Sequence, residues 1–189
     1  MRRTPIPEPT SGRTVVAALG DSITEGSPGS NGWDHWAARA DPLLEFRNHG
    51  IYGQRTDEIA VRLDDCARGA DVLIVQGGIN DIAQGRDIED AADNLRAMVQ
   101  RGKQLGLCVA LADVLPWNNG WPDADPKIRR LNASIAQIAR EEDVQLLSFY
   151  DTLEDPDRPG RMPEEWTSDG DHPSPEGYRR LGELAFRLP

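Results

Sequence analysis

Residues 14–26 read TVVAALGDSITEG and join a strand pattern to a helix start at a serine. Residues 14–19 form a short apolar, β-branched run, which is typical of a buried strand. The chain then passes a glycine and reaches Ser22, and Glu25 follows at the spacing of a capping box. A serine between a strand and a helix lies at the carboxyl edge of an α/β sheet, where such sheets bind ligands. The alternative is that Ser22 serves only as a helix N-cap.

Strand-like and helix-like segments alternate along the rest of the chain. Apolar runs predict strands at residues 14–19, 45–48, 72–76, 108–113 and 144–148. Start signals and helical spacing predict helices at residues 32–40, 56–68, 88–105, 126–142 and 175–187. This alternation predicts an α/β fold, a three-layer α/β/α sandwich with a five-stranded parallel sheet. We expect an extended N-terminal arm at residues 1–13 and a single domain at residues 14–189.

Composition indicates one compact enzyme-sized domain. The chain has 189 residues and a net charge of −11, which disfavours binding to nucleic acid or to an anionic membrane. Cys66 and Cys108 lie far apart and show neither a disulfide nor a metal-binding pattern. The sequence shows no apolar run long enough for a membrane span and no signal peptide. We expect a cytoplasmic protein, with a secreted mature form as the alternative, and no oligomeric state is indicated.

Polar residues that suit a serine hydrolase stand in two later segments. GGIND occupies residues 77–81 after an apolar run, and SDGDHPS occupies residues 168–174 near the C-terminus. Together with the first serine, they supply a nucleophile, an oxyanion donor, an orienting carboxylate and a general base. The order Ser…Asp…His is that of α/β-hydrolases, but the Gly-x-Ser-x-Gly elbow of those enzymes is missing from the sequence.

Four sequence blocks resemble those of the SGNH hydrolase superfamily, also called GDSL esterases or lipases. The blocks are GDSITEG at 20–26, NHGIYG at 48–53, GIND at 78–81 and DGDHP at 169–173. All four stand in the family's order and span most of the chain, so a chance match is improbable. The resemblance implies the flavodoxin-like SGNH fold and a serine ester hydrolase that uses no cofactor.

The resemblance assigns the nucleophile to Ser22, the base to His172 and the orienting carboxylate to Asp169. His172 is also favoured by elimination among the three histidines, because His35 lies in a helix-like segment where packing or surface exposure is expected. Asp171 is a rival orienting group, and its alternative role is that of a solvated turn carboxylate.

The same resemblance assigns an oxyanion hole to the N–H groups of Ser22 and Gly53 and the side-chain amide of Asn80. Glycine at position 53 would also let the backbone approach a ligand closely. We expect Asp21 and Asp81 to be structural, because aspartates at strand ends commonly accept hydrogen bonds from nearby N–H groups.

The expected substrate is a small-molecule ester. A chain of this length leaves no room for a cap domain, so we expect an open, shallow site that favours short acyl chains. Trp117 and Trp121 lie in LPWNNGWP at residues 115–122 and could form an acyl wall or stack on a sugar, or pack the loop onto the body. His49 could contact substrate as well. Family alternatives are a carbohydrate acetylesterase, a lysophospholipase or a thioesterase.

Two other protein classes fit parts of the sequence pattern. A metallophosphoesterase could use oxygen and nitrogen ligands from Asp21, Asn80, Asp81, Asp169, Asp171 and His172. Such sites usually contain several histidines, so no metal is expected. A receiver-type signalling module of the same fold would need a lysine after the fifth strand, and the sequence has none there.

Overall fold

Five parallel strands form one sheet in the computed structural model, which describes residues 12–27 and 31–189. The strands are β1 (Thr14–Gly20), β2 (Leu44–Gly50), β3 (Val72–Val75), β4 (Cys108–Ala112) and β5 (Gln145–Leu147). Their spatial order is β2-β1-β3-β4-β5, and every neighbouring pair is parallel. This is the flavodoxin-like order, which confirms the predicted fold class. Residues 1–11 of the predicted arm lie outside the described residues.

Helices cover both faces of the sheet. They are α1 (Ser22–Glu25), α2 (Trp33–Ala40), α3 (Thr56–Val61), α4 (Leu63–Cys66), α5 (Ile79–Ala83), α6 (Ile88–Gln104), α7 (Asp125–Glu142), α8 (Phe149–Leu153) and α9 (Pro175–Arg180). A 3₁₀ turn at Glu164–Trp166 and a π-helical turn at Leu181–Ala185 flank α9. One core layer packs α3, α4, α6 and α7 on the sheet, and the other packs α2, α8 and α9. Within the described residues, no helix has both the length and the apolar content of a membrane span.

The central strand β3 shows how the sheet divides the two core layers. Leu73 and Val75 lie in the first layer, while Val72 and Ile74 lie in the second, and all four are fully buried. Successive side chains of a strand point to opposite faces, so a strand covered on both sides must be apolar throughout. The continuous apolar run in the sequence follows from this arrangement.

Two of the predicted helices differ from the observed ones. The predicted helix 56–68 is divided into α3 and α4, with Arg62 between them. The Arg62 guanidinium donates hydrogen bonds to the carbonyl oxygens of Gly20 (3.1 Å) and His49 (2.9 Å). The predicted helix 175–187 is α-helical only to Arg180 and continues as the π-helical turn. A Cβ at Gly182 in that turn would overlap the Trp33 carbonyl, so glycine permits the close approach of α2.

Candidate active site

The carboxyl edge of the sheet collects the candidate residues. Ser22 follows β1 after one intervening residue, the turn with Gly53 follows β2, and Asn80 lies in α5 after β3. Because all strands are parallel, these segments meet at one edge. The segment with Asp169 and His172 precedes α9 and reaches the same edge.

Asp21, rather than Ser22, is the N-cap of α1. Its Oδ1 accepts a hydrogen bond from the Ile23 N–H (2.9 Å), so the predicted capping box of Ser22 and Glu25 is wrong. Aspartate and serine are about equally favourable at the N-cap position of a helix. Glu25 instead accepts the N–H of Tyr52 at its Oε2 (2.6 Å). The Ser22 hydroxyl is therefore not needed to start the helix.

Ser22, His172 and Asp169 form a continuous chain of hydrogen bonds. Ser22 Oγ lies 3.1 Å from His172 Nε2, and His172 Nδ1 lies 2.8 Å from Asp169 Oδ2. An ionised carboxylate can only accept, so Nδ1 carries the proton and Nε2 accepts from the serine hydroxyl. The other oxygen, Asp169 Oδ1, accepts the N–H groups of Asp171 (2.8 Å) and His172 (2.7 Å). The three-residue spacing thus lets one carboxylate hold both the turn and the imidazole.

The two aspartates nearest the serine differ in their electrostatics. Burial disfavours the charge on Asp169, but hydrogen bonds from the His172 ring and from two N–H groups outweigh it and hold its pKa below the ordinary value. Burial raises the pKa of Asp21 to about 6, against the opposing effect of the Ile23 N–H. Asp169 therefore stays ionised over a wider acidic range than Asp21 does.

The three predicted oxyanion donors lie on adjoining segments. The Ser22 N–H has no intrahelical acceptor, because Ser22 is the first residue of α1. Asn80 Nδ2 donates to the Gln54 carbonyl (3.0 Å), which fixes the amide beside the turn that contains Gly53. Gly53 has a φ of +75°, and a Cβ there would meet no atom within 4 Å. Within the protein, glycine is therefore required by the turn conformation rather than by crowding.

Asp81 joins the two segments that hold Gly53 and Asn80. Its Oδ1 accepts the Thr56 hydroxyl (2.8 Å), and its Oδ2 accepts the Thr56 N–H (3.0 Å) at the start of α3. Asn94 donates to the same hydroxyl (3.1 Å). Burial raises the pKa of Asp81, and its hydrogen bonds oppose that shift. These contacts give Asp81 the structural position expected from the sequence.

Asp171 links the loop at 115–122 to the histidine turn. Its Oδ1 accepts Trp117 Nε1 (2.6 Å) and Asn119 Nδ2 (2.7 Å), and Asn119 Nδ2 also donates to the Asp169 carbonyl (3.0 Å). The interpretation of Asp171 as a rival orienting group is therefore wrong, because its Oδ1 bonds the loop and not the imidazole, while the residue remains partly exposed. The adjacent residue in a turn faces away from the imidazole, and here it meets a neighbouring loop.

Two other predicted substrate contacts, Trp121 and His49, have arginine side chains as neighbours. Trp121 is 44% exposed, and the Arg161 guanidinium lies over its ring at 5.3 Å. His49 lies near Arg47 and Arg62, and burial together with these two charges lowers its pKa. In the described part of the chain, no hydrogen bond or ring contact joins Trp121 or His49 to Ser22 or to the histidine turn.

Tyr52 is the residue at this site that sequence reasoning missed. Its ring is stacked on the His172 imidazole, with centroids 5.7 Å apart and an interplanar angle of 29°. The side chain is nevertheless 71% exposed. The available signal was an aromatic residue in the variable part of NHGIYG, directly before the predicted donor Gly53.

The proposed metal ligands do not converge. Among residues 12–27 and 31–189, no group of three or more histidine, cysteine and carboxylate side chains is arranged to hold a metal ion. The carboxylates of Asp21, Asp81 and Asp171 each accept hydrogen bonds from different parts of the fold.

Comparison with known proteins places the chain in a family. The model of the GDSL-like lipase/acylhydrolase family matches residues 18–180. A structure assigned to the lipolytic G-D-S-L family from Desulfitobacterium hafniense is 27% identical, with a TM-score of 0.81 over 90% of this chain and 97% of that one. A search of curated proteins found no match.

Two less similar structures share the fold. A GDSL-like lipase from Bacteroides thetaiotaomicron is 24% identical, with a TM-score of 0.78 over 94% of this chain and 88% of that one. A variant of an acetyl xylan esterase from Geobacillus stearothermophilus is 20% identical, with a TM-score of 0.72 over 90% and 91%. On the family match, which covers most of the sequence and confirms the SGNH resemblance, this chain belongs to the GDSL-like lipase/acylhydrolase family.

Proposed function

We propose that this chain is a serine esterase that hydrolyses carboxylic esters of short acyl chains through an acyl-enzyme on Ser22. The observation that carries the proposal is the hydrogen-bonded sequence of Ser22 Oγ, His172 and Asp169, at 3.1 and 2.8 Å. These distances lie within the reach required of a nucleophile, its base and the orienting group.

In the acylation step, His172 Nε2 takes the proton of the Ser22 hydroxyl while Oγ forms a bond to the ester carbonyl carbon. The carbonyl oxygen becomes an oxyanion, which the N–H groups of Ser22 and Gly53 and the amide of Asn80 stabilise. The bond from that carbon to the alcohol oxygen then breaks. His172 transfers its proton to the departing oxygen, and the ionised Asp169 stabilises the imidazolium while it exists.

In the deacylation step, water replaces the alcohol. His172 takes a proton from the water molecule, whose oxygen attacks the acyl carbon and regenerates the oxyanion. The bond to Ser22 Oγ breaks, His172 returns the proton to the serine, and a carboxylic acid leaves. Each step therefore reuses the same base and the same donors.

The open surroundings of the triad support a preference for short acyl chains. The Asp169 side chain is 51% exposed, and the neighbouring Tyr52 is more exposed still. The loop at 115–122 is held against the body, because Asn118 exchanges two hydrogen bonds with the Met162 backbone at 2.9 and 2.7 Å. A long acyl chain gains little where it stays in water, because the hydrophobic contribution follows the apolar area removed from solvent.

A series of 4-nitrophenyl esters from acetate to octanoate tests the proposal, with Ser22→Ala as the matched control. We expect hydrolysis by the wild type, with kcat/KM highest for the shortest acyl groups, and no activity above background for Ser22→Ala. Values that rise steadily with chain length would contradict the short-acyl preference. Equal rates for wild type and Ser22→Ala would contradict the esterase itself.

A further inference from the structure

We propose that Tyr52 forms the binding surface for the alcohol part of the ester, so that the enzyme favours leaving groups with an apolar, ring-shaped face. This inference rests on the proposed esterase function and adds a specificity-determining residue to it. It starts from the exposed tyrosine ring beside the His172 imidazole.

The backbone of Tyr52 is fixed relative to the nucleophile. Its N–H donates to Glu25 Oε2 (2.6 Å), and Glu25 lies in the four-residue helix that begins with Ser22. The next residue, Gly53, accepts a hydrogen bond from Gln84 Nε2 at its carbonyl oxygen (3.4 Å). The turn is thus tied to α1 on one side and to the end of α5 on the other, which makes Tyr52 a defined surface rather than a loose loop residue.

The ring of Tyr52 has apolar area available for a ligand. It stacks on the His172 imidazole at a centroid distance of 5.7 Å while 71% of the residue remains exposed. Aromatic rings favour offset-stacked and edge-to-face partners at such distances. A ring carried by a substrate could therefore pack against Tyr52 without displacing the imidazole.

The chemistry of the reaction decides which part of the substrate lies there. His172 must deliver a proton to the alcohol oxygen as the bond to the acyl carbon breaks, so this oxygen lies beside Nε2 at that moment. Tyr52 stacks on the same imidazole. The group attached to the alcohol oxygen is consequently the part of the ester that meets the tyrosine ring.

Two acetates with leaving groups of similar basicity, benzyl acetate and ethyl acetate, measure this contact. The quantity compared is the ratio of their kcat/KM values, because a general loss of catalytic efficiency in a variant cancels in the ratio. We expect Tyr52→Ala to lower the benzyl-to-ethyl ratio about three- to tenfold, the effect of losing one ring–ring contact. Tyr52→Phe retains the ring and should retain the ratio.

Ile51→Ala is the matched control, since Ile51 lies in the same turn and is 42% exposed but carries no ring. An unchanged ratio in Tyr52→Ala, or an equal fall in Ile51→Ala, would overturn the leaving-group role. A change in acyl-chain preference without a change in the ratio would place the ring on the acyl side and overturn it as well. A wild-type enzyme that hydrolyses neither acetate would overturn the esterase proposal together with this inference.

Discussion

At the scale of single residues, Asn80 serves both the turn and the proposed oxyanion hole. One N–H of its amide is bound to the Gln54 carbonyl, and the structure gives the other no acceptor in the part of the chain it describes. We expect Asn80→Ala to lower kcat about 10²–10³-fold, as the removal of one oxyanion donor does. Steady-state kinetics on 4-nitrophenyl acetate measure this change.

Gln84→Ala separates the two tasks of Asn80. Gln84 donates a hydrogen bond to the Gly53 carbonyl (3.4 Å) and so contacts the turn that Asn80 also contacts, but the Gln84 side chain is exposed. We expect this variant to stay within about twofold of the wild type, as exposed substitutions usually do. Equal losses in Gln84→Ala and Asn80→Ala would show that anchoring of the turn, rather than oxyanion stabilisation, explains the effect.

At the scale of elements, the loop at 115–122 supports the histidine turn through Asp171. Hydrogen bonds to a charged group contribute about 1.5–3 kcal/mol each, so loss of the Trp117 Nε1 donor should loosen the turn. We expect Trp117→Phe and Asp171→Asn each to lower kcat about tenfold while acyl-chain preference is unchanged. The ester series on both variants provides the measurement.

The double variant tests whether the two residues act together. If they act through one contact, Trp117→Phe combined with Asp171→Asn should cost little more than either change alone. Fully additive losses would mean that the residues act independently. A changed chain-length preference in Trp117→Phe would support the interpretation of Trp117 as an acyl wall.

The main elements could be predicted because their apolar patterns are long or because residues that start a helix mark their first position. The run before Gly20 is apolar on both faces, and Ser174 with Pro175 marks the start of α9 at the predicted residue. The short helices α5 and α8 have five residues each and were not predicted, and α1, with four residues, was predicted only as a helix start at Ser22. They are too short to show a helical period, and their positions depend on strand ends and on side-chain caps such as Asp21.

The site was predictable where a residue's role is local and not where it depends on another segment. The spacing of Asp169 and His172 within one turn is readable in the sequence. The partners of Asp171 lie 54 and 52 positions away, and the stack of Tyr52 on His172 joins two distant segments of the chain. Such contacts arise only when the parallel strands bring their carboxyl ends to one edge.

At the scale of the whole molecule, Asp113 makes stability depend on pH. Its Oδ1 accepts the Tyr150 N–H (2.8 Å), and burial raises its pKa to about 7. The folded protein therefore binds the proton more tightly than the unfolded chain, whose pKa is about 4. The contribution of Asp113 to the free energy of unfolding is therefore greatest below that value and falls as pH rises towards 7.

Asp113→Asn keeps an acceptor for Tyr150 without the charge. We expect this variant to exceed the wild type in free energy of unfolding by about 1–4 kcal/mol at pH 8, with the difference shrinking towards pH 4. Urea denaturation across this range measures it. Asp90→Asn, which removes an exposed carboxylate of α6, should change the slope much less; identical slopes for wild type and Asp113→Asn would refute the expectation.

The most direct measurement of the central claim is the site of covalent modification by a serine-directed phosphonate ester. Intact mass and peptide mapping should show one adduct, on Ser22, in parallel with the loss of esterase activity. Ser22→Ala should remain unlabelled, and His172→Ala should label far more slowly because no base removes the serine proton. An adduct on another residue, or full activity after Ser22 is modified, would contradict the account.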